Sequence, residues 1–98
     1  VAGSGPGYVF EMLRAYVEAA ENLGFSEKDA KDLVLGTVRG TLELAQQSDL
    51  SLEDLRKNVT SKGGTTAAGL NALNGKGEFS TQIRDTLQAA YERAVELR

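Results

Sequence analysis

The residues most able to do chemistry lie in one stretch, Val59-Thr60-Ser61-Lys62-Gly63-Gly64-Thr65-Thr66-Ala67-Ala68-Gly69-Leu70, where hydroxyls and glycines run into an apolar helical pattern. Glycine accepts φ > 0 and carries no side chain, so a ligand can come close to the peptide N–H groups of Gly63 and Gly64. Thr65 or Thr66 is then expected to cap a helix. The first N–H groups of a helix lack intrahelical acceptors and lie at the positive end of its dipole, so a carboxylate or phosphate placed there is stabilised. The hydroxyls of Ser61, Thr65 and Thr66 add donors that can also accept. The chemistry indicated is the holding of a small anion. A helix that simply starts after a Gly-Gly turn with a threonine cap is the competing reading. A nucleotide P-loop is disfavoured, because G-x-x-x-x-G-K-[ST] is absent and Lys62 precedes the glycines. Lys62 itself reads as a solvated loop lysine, not as a carboxylate clamp or a Schiff-base amine.

Composition removes most alternatives. There is no Cys and no His, so disulfides, thiolate chemistry and the usual general base at neutral pH are all missing. Eleven basic residues against fourteen acidic ones give a net charge of −3, and the basic residues are scattered, which argues against a nucleic-acid partner. No apolar run approaches the roughly 20 residues that span a bilayer, and the start lacks the basic and apolar segments of a signal peptide, so a cytoplasmic location is expected. With 98 residues, 41% of them hydrophobic, and no Trp, a single domain with a modest core of Ala, Val and Leu is expected.

The elements that must position the turn follow from periodicity. Val1-Ala2-Gly3-Ser4-Gly5-Pro6-Gly7, which has no Met, reads as cut from something longer, and Pro6 suits the first turn of a helix. Val9, Met12, Leu13, Tyr16, Val17, Ala20 and Leu23 form one apolar stripe that stops at Gly24. Ser26-Glu27-Lys28-Asp29 resembles a capping box and opens a helix about 30 Å long through Ala45. Gly36 and Gly40 lie four apart on it, each costing on the order of 1 kcal/mol against Ala, and close approach of another helix would explain them. Ser51 is expected to cap a short third helix near Leu52-Glu53-Asp54-Leu55, with Leu50 stapled onto Leu55. A fourth helix is expected from Ala67 to about Asn74 and a last one from about Ser80, whose Arg84, Asp85, Glu92, Arg93 and Glu96 form a solvated face. No period-2 alternation occurs, so the fold class is all-α with five helices, two of them long. Long helices in so short a chain leave apolar stripes bare unless a second copy covers them, which favours an intertwined homodimer over a compact monomeric bundle.

Ser4-Gly5-Pro6 leading into a helix, followed some fifty residues later by Asn58-Val59 and the Ser-x-Gly-Gly-Thr-Thr-x-x-Gly-Leu run of Ser61 to Leu70, resembles the C-terminal domain of pyrroline-5-carboxylate reductase. The resemblance spans essentially the whole chain in helix order and spacing, and the Gly-Gly-Thr-Thr run is its specific part. It implies that residues 1–98 are the dimerisation and substrate-binding domain of an enzyme whose N-terminal Rossmann domain, absent from this chain, binds NADPH or NADH. That family reduces pyrroline-5-carboxylate to proline, the last step of proline biosynthesis. On the same resemblance, the amides of Gly63, Gly64 and Thr65 with the Ser61 hydroxyl hold the substrate carboxylate. Thr66, the one residue given a catalytic part, hydrogen-bonds the ring nitrogen and orients the imine. No cofactor is expected on this chain alone, no metal, and no turnover without the cofactor domain. The implied partners are a second copy, or a higher oligomer, and a small imino acid, with no nucleic acid and no membrane. The family commonly has Pro where Lys62 stands and Ala where Gly7 stands, so this turn is expected to be looser by roughly 0.4–1 kcal/mol of chain entropy. Two other readings stay open: a helical homodimerisation module with no ligand site, and a regulatory domain for some other small carboxylate.

Overall fold

The computed structural model describes residues 1–98. Five helices follow one another, α1 (Gly5–Asn22), α2 (Glu27–Gln47), α3 (Leu52–Asn58), α4 (Thr65–Asn74) and α5 (Glu78–Glu96), and there is no strand. The all-α expectation holds, with α2 and α5 the two longest helices at 21 and 19 residues. The chain divides into two units, Val1–Leu50 and Ser51–Arg98.

In the first unit α1 packs on α2. Pro6 sits in the first turn of α1, where its missing N–H costs nothing, and Gly24 at φ 111° turns the chain out of the helix. Ser26 adopts extended backbone and its Oγ accepts the Asp29 N–H at 3.1 Å, the first half of the expected capping box. Leu13, Val17 and Ala20 recur on the half-buried side of α1, while Ala30 and Val34 of α2 are the only fully buried residues in the chain. Such a core is smaller than composition led us to expect, because a pair of helices covers only their facing stripes. Arg14 bridges Glu11 and Glu18 at 2.7 and 2.8 Å on the exposed side of α1, and Lys28 pairs with Asp32 at 2.7 Å on α2.

In the second unit Ser51 caps α3 as expected, its Oγ accepting the Asp54 N–H at 3.1 Å. Helix α4 starts at Thr65, two residues before the expected Ala67, and α5 starts at Glu78, two residues before the expected Ser80. Ser80 therefore lies inside α5 and does not cap it. The cap comes instead from the preceding helix: Asn74 Oδ1 accepts the Ser80 N–H at 3.0 Å, and Asn74 Nδ2 donates to Ser80 Oγ at 2.8 Å. This paired bond fixes the short connection between α4 and α5, which pack on each other. Arg84, Asp85, Arg93 and Glu96 are exposed and pair among themselves, Arg93 with Glu96 at 2.9 Å, as a solvated face should.

The apolar stripe of α1 is partly bare: Leu23 is 82% exposed, Tyr16 51% and Val9 47%. The chain exposes 8092 Å². Two separate compact globules of half its mass would together expose only about 6,500 Å². No helix is long and apolar enough to cross a membrane.

Candidate ligand site at the start of helix α4

The chain reaches the site from the end of α3, where Val59 donates its N–H to Arg56 O at 3.3 Å, Thr60 donates its N–H to Lys57 O at 3.1 Å, and Thr60 Oγ1 donates to Arg56 O at 2.6 Å. Thr60 is thus spent on closing α3. A four-residue turn follows, in which the Gly64 N–H donates to Ser61 O at 3.1 Å. Gly63, third in that turn, has φ 72°, the left-handed value a type II turn requires and one that a side chain would strain. Gly64 does not use positive φ; it has φ −86° and ψ −177°. Its need for glycine is spatial, since a Cβ there would lie 3.1 Å from Ser61 Oγ and 3.3 Å from Ser61 O.

Gly64 is the N-cap of α4, so neither Thr65 nor Thr66 caps the helix as the sequence led us to expect. Both are its first helical residues. The reason is the turn: its hydrogen bond already delivers Gly64 in extended backbone with its carbonyl accepting the Ala68 N–H at 3.1 Å, so helical bonding begins one residue before the threonines. Glycine has no side chain to cap with, and the N–H groups of Thr65, Thr66 and Ala67 find no acceptor in the chain. The contrast with α2 and α3, each closed by a serine hydroxyl, is internal to the molecule.

Of the five residues singled out from sequence, Ser61, Gly63, Gly64, Thr65 and Thr66, all fall within this one turn and first helical residues. The Gly63 and Thr65 amides are unbonded, as are the hydroxyls of Ser61, Thr65 and Thr66, whereas the Gly64 amide is engaged with Ser61 O. Ser61, Gly63, Thr65 and Thr66 are exposed and Gly64 is half-buried. Sequence reasoning missed the Ala67 amide, the third of the free helical donors. Its signal was present, because a helix starting one residue after Gly64 has Ala67 in its first turn. An arrangement of free amides and hydroxyls at a helix start can hold a carboxylate without any titrating side chain.

Residues 1–97 match the family model described as pyrroline-5-carboxylate reductase dimerisation. Pyrroline-5-carboxylate reductase of Staphylococcus haemolyticus is 42% identical over 97 residues, covering 99% of this chain and 35% of that protein. The enzymes of the same name from Staphylococcus saprophyticus and Staphylococcus aureus are 41% and 38% identical over the same coverage. Among solved structures, Plasmodium falciparum pyrroline carboxylate reductase with NADP bound superposes with a TM-score of 0.88 at 34% identity, over 93% of this chain and 36% of that one. The chain thus spans about a third of the length of the curated relatives it matches. A match over residues 1–97, carried by the same helices that build the α4 turn, places the chain in the pyrroline-5-carboxylate reductase dimerisation family.

Proposed function

We propose that this chain is the dimerisation and substrate-binding region, residues 1–98, of a cytoplasmic NAD(P)H-dependent reductase that converts 1-pyrroline-5-carboxylate to L-proline, working as a homodimer or a higher oligomer. The observation that carries the substrate-binding part is the uncapped start of α4, where the Thr65, Thr66 and Ala67 amides lack acceptors beside three free hydroxyls. The Gly63 and Thr65 amides with Ser61 Oγ receive the substrate carboxylate, Gly64 holds the turn that presents them, and Thr66 Oγ1 meets the ring nitrogen. Both ends of a small imino acid are then fixed, and positioning of this kind supplies several kcal/mol of a barrier. The nucleotide is a different matter. Five helices with no strand provide no strand-to-helix glycine turn for a pyrophosphate, so the residues of this chain do not fit a dinucleotide, and its binding is assigned to a Rossmann domain outside them.

An amide NMR titration of the chain with L-proline tests the assignment. Saturable shifts confined to residues 61–67 are expected. Their absence at high proline would leave a helical homodimerisation module without a ligand site, the reading that the exposure of Ser61, Thr65 and Thr66 favours.

A further inference from the structure

Of the four asparagines in the chain, Asn74 alone precedes a glycine; Asn22, Asn58 and Asn71 precede Leu23, Val59 and Ala72. An Asn-Gly bond is the one most open to deamidation, because no Cβ shields the glycine nitrogen from the side-chain amide. The structure accounts for both residues. Asn74 Oδ1 accepts the Ser80 N–H at 3.0 Å and Asn74 Nδ2 donates to Ser80 Oγ at 2.8 Å, which joins α4 to α5. A Cβ at Gly75 would collide with Asn71 O and Asn71 Oδ1, so the position after Asn74 has room only for glycine. The same contacts hold the reacting groups apart. Deamidation brings the Gly75 nitrogen onto Asn74 Cγ, and closing that five-membered ring takes ψ of Asn74 out of the helical range. Asn74 is instead the last residue of α4, the Gly75 N–H donates to Asn71 O at 2.9 Å, and the Gly77 N–H donates to Asn74 O at 3.0 Å. Nucleophile, electrophile and leaving group are all engaged elsewhere.

We propose that Asn74-Gly75 is a deamidation site guarded by the connection between α4 and α5, so that local opening of that connection, and not unfolding of the whole chain, sets how fast the bond reacts. Connections of this kind open more readily than the elements they join. Once Asn74 leaves Ser80 and the Gly75 amide leaves Asn71, the deprotonated Gly75 nitrogen attacks Asn74 Cγ. The N–Cγ bond forms, the Cγ–Nδ2 bond breaks, and ammonia leaves a cyclic imide. Water then opens the ring at Cγ to give aspartate, or at the Asn74 carbonyl carbon to give isoaspartate, with no change of oxidation state. Either product lacks Nδ2, the donor to Ser80 Oγ. Isoaspartate also routes the main chain through Cβ and Cγ, adding a backbone carbon between α4 and α5 and moving the cap off the Ser80 amide. A chain that opens here is thereby marked and cannot close as before.

The test follows the conversion of Asn74 to aspartate and isoaspartate by peptide mass spectrometry, in neutral buffer and in denaturing urea, for wild type, Ser80→Ala, Ser51→Ala and Gly75→Ala. In urea wild type is expected to react at Asn74 ahead of Asn22, Asn58 and Asn71, and Gly75→Ala to lose that reactivity. In buffer wild type should react at least about 10-fold more slowly than in urea, the protection that a local opening confers. Ser80→Ala takes away the partner of Asn74 Nδ2 and is expected to speed the reaction in buffer by about 2- to 12-fold, the worth of one neutral hydrogen bond, with no change in urea. Ser51→Ala removes the cap of α3, which does not touch Asn74, and should leave the rate at Asn74 as in wild type. Equal rates for wild type in buffer and in urea would overturn the guard. So would equal acceleration by Ser80→Ala and Ser51→Ala, since unfolding of the whole unit would then control the bond.

Discussion

At the scale of single residues, the two glycines of the α4 turn are there for different reasons, and substitution separates them. Gly63 at φ 72° cannot take a side chain without left-handed strain, so Gly63→Ala is expected to destabilise the second unit by about 1–2 kcal/mol in urea unfolding. Gly64→Ala should cost less, because its nearest obstacle, Ser61 Oγ at 3.1 Å, can rotate away. Lys62 holds the second position of the turn and its N–H is unbonded, which is where proline is pre-set. Lys62→Pro is accordingly expected to stabilise by roughly 0.4–1 kcal/mol. Thr66 bonds nothing in the chain, so Thr66→Ala should leave stability nearly unchanged. If Thr66 Oγ1 accepts from the ammonium of L-proline, the same change weakens L-proline binding by about 10- to 150-fold, the worth of one hydrogen bond to a charged group. Equal proline affinity in the two proteins would remove Thr66 from the site.

At the scale of elements, helix number, order and type were legible because apolar residues recur every three or four positions, and both serine caps were legible because a capping hydroxyl sits next to the amides it serves. The start of α5 was not, since its cap comes from Asn74, six residues before Ser80 and in another helix. The start of α4 was misplaced for a related reason: a turn hydrogen bond between Ser61 and Gly64 sets it, not a threonine side chain. The composition of the site was readable, but which amides stay free depends on that bond. Asn74→Ala removes the link between α4 and α5 and is expected to cost about 1 kcal/mol, with faster hydrogen exchange at the Ser80 amide as its signature. On α1, the hydrogen bond from Arg14 and then its charge hold the Glu11 carboxyl below the usual carboxylate range. A depressed pKa contributes stability above the unfolded value and loses it as pH falls through the folded one. Arg14→Ala should therefore return the Glu11 titration, followed by carboxyl NMR, to the ordinary range.

At the scale of the whole molecule, the deciding quantity is how little the chain buries. Two fully buried residues, Ala30 and Val34, cannot offset the ordering of five helices, since fixing each backbone costs roughly 1–2 kcal/mol. Helix length against chain length already leads to the expectation of bare stripes, and the exposures of Val9, Tyr16 and Leu23 give their extent, which periodicity alone does not. If a second copy covers those faces, folding and association are one equilibrium, and stability depends on protein concentration. For a folded dimer in equilibrium with unfolded chains, each tenfold increase in concentration adds about 1.4 kcal/mol to the apparent stability. The urea midpoint of this chain is thus expected to rise steadily across a concentration series. A midpoint that does not move would mean that the chain folds alone with those side chains in water, and the excess surface would then need a partner other than a second copy.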